Sequence, residues 1–93
     1  MDKYKFRFAV SQFLFEYRQR GFAYGGYLEQ SDIADALGVR QATVSSWCHA
    51  DSCISAFMFF RLLQVFADFR KLHVRQVFSD FLKILERQTS ANA

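Results

Sequence analysis

The chain contains no proline, and its four glycines occur only at Gly21, Gly25, Gly26 and Gly38. These two residue types are the strongest helix breakers. Proline removes an amide donor and fixes φ, and glycine loses the most backbone entropy on ordering. Because the breakers sit in just two places, the long stretches around them are free to be helical. An all-α fold is expected, and the remaining question is where each helix stops and which face it buries.

The first helix is expected over about residues 3–20. Phe6, Val10, Phe13, Leu14 and Tyr17 recur at helical spacing and form its core face. Phe8 and Phe15, seven residues apart, make a second stripe that this face does not cover. That stripe either lies under another helix or meets a second subunit. Gly21 supplies a C-terminal stop. Residues 22–29, with Gly25-Gly26 between Tyr24 and Tyr27, read as an irregular loop, and a small β-hairpin is the other conformation the pattern allows.

Two short helices, about 31–37 and 40–49, follow. Asp32 and Asp35 lie in the first turns of the earlier one, where the helix dipole favours acids. Asp51 or Ser52 is placed to cap a fourth helix of about residues 54–69. There Phe57, Met58, Phe59, Phe60, Leu62, Leu63, Val65, Phe66 and Phe69 cover nearly the whole circumference, which predicts a buried central rod. A fifth helix, about 74–87, carries Val74, Val77, Phe78, Phe81, Leu82, Ile84 and Leu85, an arc wider than one contact needs. The surplus makes Phe78, Phe81, Leu82 and Leu85 candidates for a dimer interface. Residues 1–93 then form a single domain, a compact five-helix bundle, with residues 89–93 as a frayed tail.

Residues 30–49 carry the functional signal. A helix-turn-helix packs two short helices at a steep angle, which narrows what each position tolerates. Ala34 is small where the helices cross. Four residues later Gly38 allows a sharp reversal with positive φ, and Val39 plugs the turn. Ile33 and Leu37 point one face of the first helix inward, and Val44 and Trp47 do the same for the second. The outward set of the second helix is Arg40, Gln41, Ala42, Thr43, Ser45, Ser46 and His49. None is acidic. Phosphates repel carboxylates, and base edges pair with amides, hydroxyls and methyls, so this set suits a DNA-reading helix.

The segment resembles the helix-turn-helix of the phage repressor and Cro family, the Xre-like group of lambda-repressor-type domains. The match lies in Gln30 at the first motif position, Ala34 at the fifth, Gly38 at the ninth, Val44 at the fifteenth and Trp47 at the eighteenth. It continues more weakly over roughly residues 28–70. The resemblance implies five helices, with the motif as the second and third, and dimeric repressors on two-fold symmetric operators. Carried over by position, it implies base contacts from Gln41, Ala42 and Ser46. Phosphate contacts would come from Gln30, Arg40, Thr43, Ser45 and His49, and Gln30 would brace Gln41. The chain departs from the family pattern in its longer 22–29 loop, in lacking a proline after the motif, and in its aromatic first helix.

A net charge of +3 permits a nucleic-acid partner without requiring one. Lys3, Lys5 and Arg7, and then Arg18 and Arg20, are kept as candidate phosphate contacts. Arg70, Lys71 and Arg75 form a further basic cluster, and Lys83 and Arg87 read as solvated helix positions. Fifty-two per cent apolar residues, with twelve phenylalanines, are more than so short a chain readily hides, which favours a homodimer. No apolar run is long enough to span a bilayer, and no signal-like segment opens the chain, so no membrane contact and a cytoplasmic, nucleoid-associated location are expected.

Cys48, His49, Cys53 and His73 contain one spacing that zinc tolerates, but His73 is remote and unpaired. No metal, cofactor or small-molecule ligand is expected. No nucleophile–base arrangement or phosphate-cradling glycine loop suggests an enzyme. The function expected is a sequence-specific transcriptional regulator, a repressor of phage or mobile-element type that binds double-stranded DNA. The other function class open to the chain is a protein-interaction module, such as an antitoxin-like or anti-repressor subunit or a phage inhibitor, using its phenylalanine-rich faces.

Overall fold

A computed structural model describes residues 3–19 and 26–90. Five helices follow in order: α1 (Lys3–Gln19), α2 (Gln30–Leu37), α3 (Gln41–Cys48), α4 (Ala56–Arg70) and α5 (Val74–Ser90). No strand occurs among the described residues, and the all-helical expectation holds. The expected stop at Gly21, the helix end at Arg20, the loop tip through Gly25 and residues 91–93 lie outside the described residues.

Aromatic rings build the core. Phe13 of α1 meets Phe66 of α4 and Phe81 of α5, each at 5.4 Å between centroids and nearly perpendicular. Phe59 and Phe81 approach to 4.7 Å, and Phe6 closes the cluster edge-on against both. Edge-to-face pairs of this kind contribute about 0.5–1.5 kcal/mol beyond their burial. This placement corrects the expectation for Phe81. At 2% exposure it belongs to the core with Val77 and Ile84 and is not available as a dimer contact, whereas Phe78 and Leu82 stay exposed and Leu85 is half-buried.

The fourth helix also differs from expectation. It buries Phe59, Leu62, Leu63, Phe66, Ala67 and Arg70 on one face, but Phe57 and Phe60 are 69% and 65% exposed, so it is not apolar-buried all round. Nor do Asp51 or Ser52 cap it. Ser55 does, accepting the Met58 amide at 3.2 Å, so the helix begins at Ala56 and Ile54 is a buried residue just before it.

Three helices end in the same way. Gly38, Ala50 and Lys71 all adopt the left-handed conformation, with φ of 73°, 58° and 54°. The amide after each reaches back to the carbonyl five residues before it: Val39 to Ala34, Asp51 to Ser46 and Leu72 to Ala67, at 2.8–3.0 Å. These are Schellman ends, which satisfy carbonyls that would otherwise lack a partner.

Side chains tie the helices together at their polar seams. The Tyr17 hydroxyl donates to Asp80, which also accepts from Gln76, joining α1 to α5. Arg87 pairs with Glu16 across the same seam at 2.9 Å. Arg61 of α4 donates to the Leu37 and Ala36 carbonyls at the end of α2, where a cation suits the dipole.

Candidate nucleic-acid interface

The geometry of residues 30–49 follows from its inward set. Ile33, Ala34, Leu37, Val44 and Trp47 are all buried, and half-buried Val39 packs against the core they join. Gly38 makes the turn: its amide donates to Asp35 and the next one to Ala34. A capping contact fixes the start of α2, where the Glu29 amide donates to Asp32 Oδ2 at 2.9 Å. The helix therefore starts one residue earlier than expected, at Gln30.

The outward face is uneven. Arg40, Gln41, Ala42 and His49 are exposed, whereas Thr43, Ser45 and Ser46 are half-buried. Arg40 occupies the N-cap of α3 with extended backbone, φ −75° and ψ 150°, and no side chain caps that end. The first amides of α3 therefore point out of the helix without an intrahelical partner, the arrangement that helix N-termini offer to phosphates.

Ser46 departs from the role expected of it. Its single proton goes to the Thr43 carbonyl at 2.7 Å, so the 2.6 Å contact with Ser52 is donated by Ser52. That hydroxyl is turned toward the 51–53 loop, and of the three residues expected at base edges Gln41 and Ala42 are the exposed ones. His49 is held by its own helix. Nδ1 donates to the Ser45 carbonyl at 2.8 Å, which fixes the proton on that nitrogen and leaves Nε2 as the atom for a partner.

Gln30 is the first residue of α2 and half-buried, with its side chain near enough to the Cys48 thiol to lower it. Arg18, kept as a phosphate candidate, is already engaged. Its Nε donates to the Leu28 carbonyl at 2.8 Å, one terminal nitrogen to the Tyr27 hydroxyl at 2.9 Å, and the other faces the Cys48 sulfur at 3.7 Å. Its role is to lash residues 26–29 and the end of α3 to α1. Ser11 adds to this by donating to the Cys48 carbonyl. Burial raises the Cys48 thiol above its ordinary value, and nearby Arg18 and Gln30 lower it less, so the group stays a protonated thiol. Among the described residues no group of three or more His, Cys, Asp or Glu is arranged to hold a metal ion.

Beside α3, the side chains of Ser11, Gln12, Phe15, Arg18, Gln30, Cys48 and His49 surround a notch of about 250 Å³. Gln12 was not singled out by the sequence. The Phe8/Phe15 stripe and Arg18 are the features of the sequence that mark this side of α1. No helix among the described residues is long and apolar enough to cross a membrane. Comparison with known proteins found no matching family model, no similar characterised protein and no similar solved structure.

Proposed function

We propose that this chain is a sequence-specific DNA-binding regulator of the phage repressor and Cro type, acting as a homodimeric repressor on a two-fold symmetric operator in the cytoplasm. The observation that carries the reading is the acid-free outward row of α3, set on a helix-turn-helix whose inward residues are all buried or half-buried. In this reading α3 enters the major groove. Gln41 reads a base edge with its amide, Ala42 meets a thymine methyl, and Arg40 with the open α3 amides meets the phosphate before them. Two such helices on one face of a duplex address half-sites roughly 34 Å apart.

The dimer part of the proposal has its own support. Gln64, Ala67 and Asp68 of α4 share a shallow groove with Leu72, His73 and Val74, and Phe60, Phe78 and Leu82 are exposed on the same two helices. The opposite side of α5 is already used, by α1 through Asp80 and Arg87. Large apolar side chains left exposed on two neighbouring helices suit burial against a second copy.

The test is selection of a binding sequence from random duplex DNA by the whole chain, followed by Gln41→Ala and Arg40→Ala. Loss of a bidentate amide contact removes about 1–3 kcal/mol of discrimination at one base pair. Arg40→Ala is expected to weaken all sequences alike and flatten the salt dependence. If no sequence is enriched and neither substitution changes residual binding, the regulator reading fails. The exposed rings of Phe8, Phe15, Phe57, Phe60 and Phe78 would then favour the protein-interaction module.

A further inference from the structure

We propose that the notch beside α3 seats one phosphodiester and its adjoining deoxyribose, so that α1 forms part of the DNA contact surface. The inference rests on the DNA-reading proposal and adds Gln12 and Phe15 to it.

Helical spacing places Cys48 on the seam of α3 between its buried side and the outward row of Gln41, Ser45 and His49. The notch opens along that seam, so a strand flanking α3 in the groove would pass over it. Its lining has the chemistry of a sugar–phosphate backbone. Arg18 supplies a fixed positive charge, held in place by its bonds to Leu28 and Tyr27. Gln30 and Gln12 bring amides, and no acidic side chain among the described residues lines the notch. Gln12 donates one N–H to Glu16 Oε2 at 3.0 Å and keeps its second, while the same Glu16 oxygen pairs with Arg87. Phe15, half exposed, is the one large apolar side chain among the described residues lining the notch. A flat ring next to amide and guanidinium donors matches the alternation of sugar and phosphate along a strand.

The whole chain is titrated with a duplex carrying its selected sequence, across a range of salt concentrations. Gln12→Lys places a cation at the notch and is expected to steepen the log K against log salt slope by about 0.9. Glu86→Gln makes the same change in net charge at an exposed position of α5, away from the notch, and is expected to leave the slope alone. Phe15→Ala is expected to weaken binding by about tenfold, and Phe15→Tyr to retain it. A single methylphosphonate at the flanking phosphate should weaken wild-type binding and cancel the Gln12→Lys gain. All four substitutions are at exposed positions, and thermal melts matching wild type establish that they fold. If Gln12→Lys has the slope of Glu86→Gln and Phe15→Ala binds within twofold of wild type, the seat on α1 is wrong although the DNA reading stands. If wild type selects no sequence at all, the DNA reading falls and this inference with it.

Discussion

Arg70, on the last turn of α4 and 2% exposed, donates through Nε to the Tyr17 carbonyl of α1 at 3.1 Å. Its terminal nitrogens reach the Tyr17, Arg18 and Gly26 carbonyls. One buried guanidinium thus serves the C-terminal carbonyls of α1 and the chain beyond it, a place where helix ends need donors and favour a cation. Burial lowers the guanidinium below its ordinary value, with Tyr17 acting in the opposite sense, and its hydrogen bonds offset the desolvation.

Arg70→Met should therefore be among the most damaging single changes in the protein. It leaves buried carbonyls unpaired, at a cost of about 2–4 kcal/mol. Arg70→Lys should recover little, since a single ammonium cannot span the fork. Thermal unfolding checks this, with a fall in Tm of more than about 10 °C expected for Arg70→Met. A melt within a few degrees of wild type would show that water serves these carbonyls equally well.

The matched ends of α2 and α3 give a pair of predictions of opposite sign. Gly38 has φ 73°, and a Cβ built there would meet nothing within 4 Å, so Gly38→Ala pays only for backbone strain, about 1 kcal/mol. Ala50 already carries that strain at φ 58°. Ala50→Gly should stabilise by about 0.5–1 kcal/mol once the extra entropy of glycine in the unfolded chain is deducted. Denaturant titration of both variants is the measurement. Shifts in the same direction would mean that these turns are not held left-handed in solution.

What the sequence made legible were features written in local spacing. The core face of α1, the inward set of the motif and the Gly38 turn depend on periodicity and on one residue's conformational freedom. What it hid depends on which neighbour arrives from elsewhere. Arg70 and Arg61 look like surface cations in the sequence, and only the docking of α4 against α1 and α2 gives them carbonyls to serve. Phe81 and Phe78 are both phenylalanines on one apolar arc, and the position of α1 decides which is core. Ser46 follows the same logic within the motif, because its hydroxyl is claimed by Ser52 from a loop whose path the α3 pattern does not encode. Ala50 shows another limit: an alanine in a glycine-type turn carries no sequence signature.

The two cysteines should differ in reactivity. Cys53 is exposed, whereas Cys48 is half-buried and its thiol is raised chiefly by burial. At pH 8 a thiol reagent should label Cys53 first and reach Cys48 slowly, at a rate tied to local opening. The linkage sign follows from the raised value. The stability this thiol contributes is whole below the ordinary cysteine value of 9.0 and declines as pH rises from there through the higher folded value, because the unfolded chain loses the proton first. Denaturant titrations between pH 7 and 10 should show this decline in wild type and a shallower one in Cys48→Ala. Equal labelling rates at the two thiols would contradict the buried position of Cys48.

The dimer surface can be tested without disturbing the core, because Phe78 and Leu82 are only partly buried in the monomer. Glutamate at either position would be solvated in the free chain but would face its own symmetry mate across a two-fold interface. Like charges brought together in an apolar contact are strongly unfavourable. Phe78→Glu and Leu82→Glu should therefore sediment as monomers at micromolar concentration where wild type is a dimer, with melting curves that lose their dependence on protein concentration. Phe60→Glu, at an exposed position of α4, should behave in the same way. Phe8→Glu, on the exposed stripe of α1, should leave the dimer intact. A wild-type chain that is monomeric under these conditions, or glutamate variants that still dimerise, would remove the α4–α5 face from the proposal and leave any pairing of recognition helices to the DNA itself.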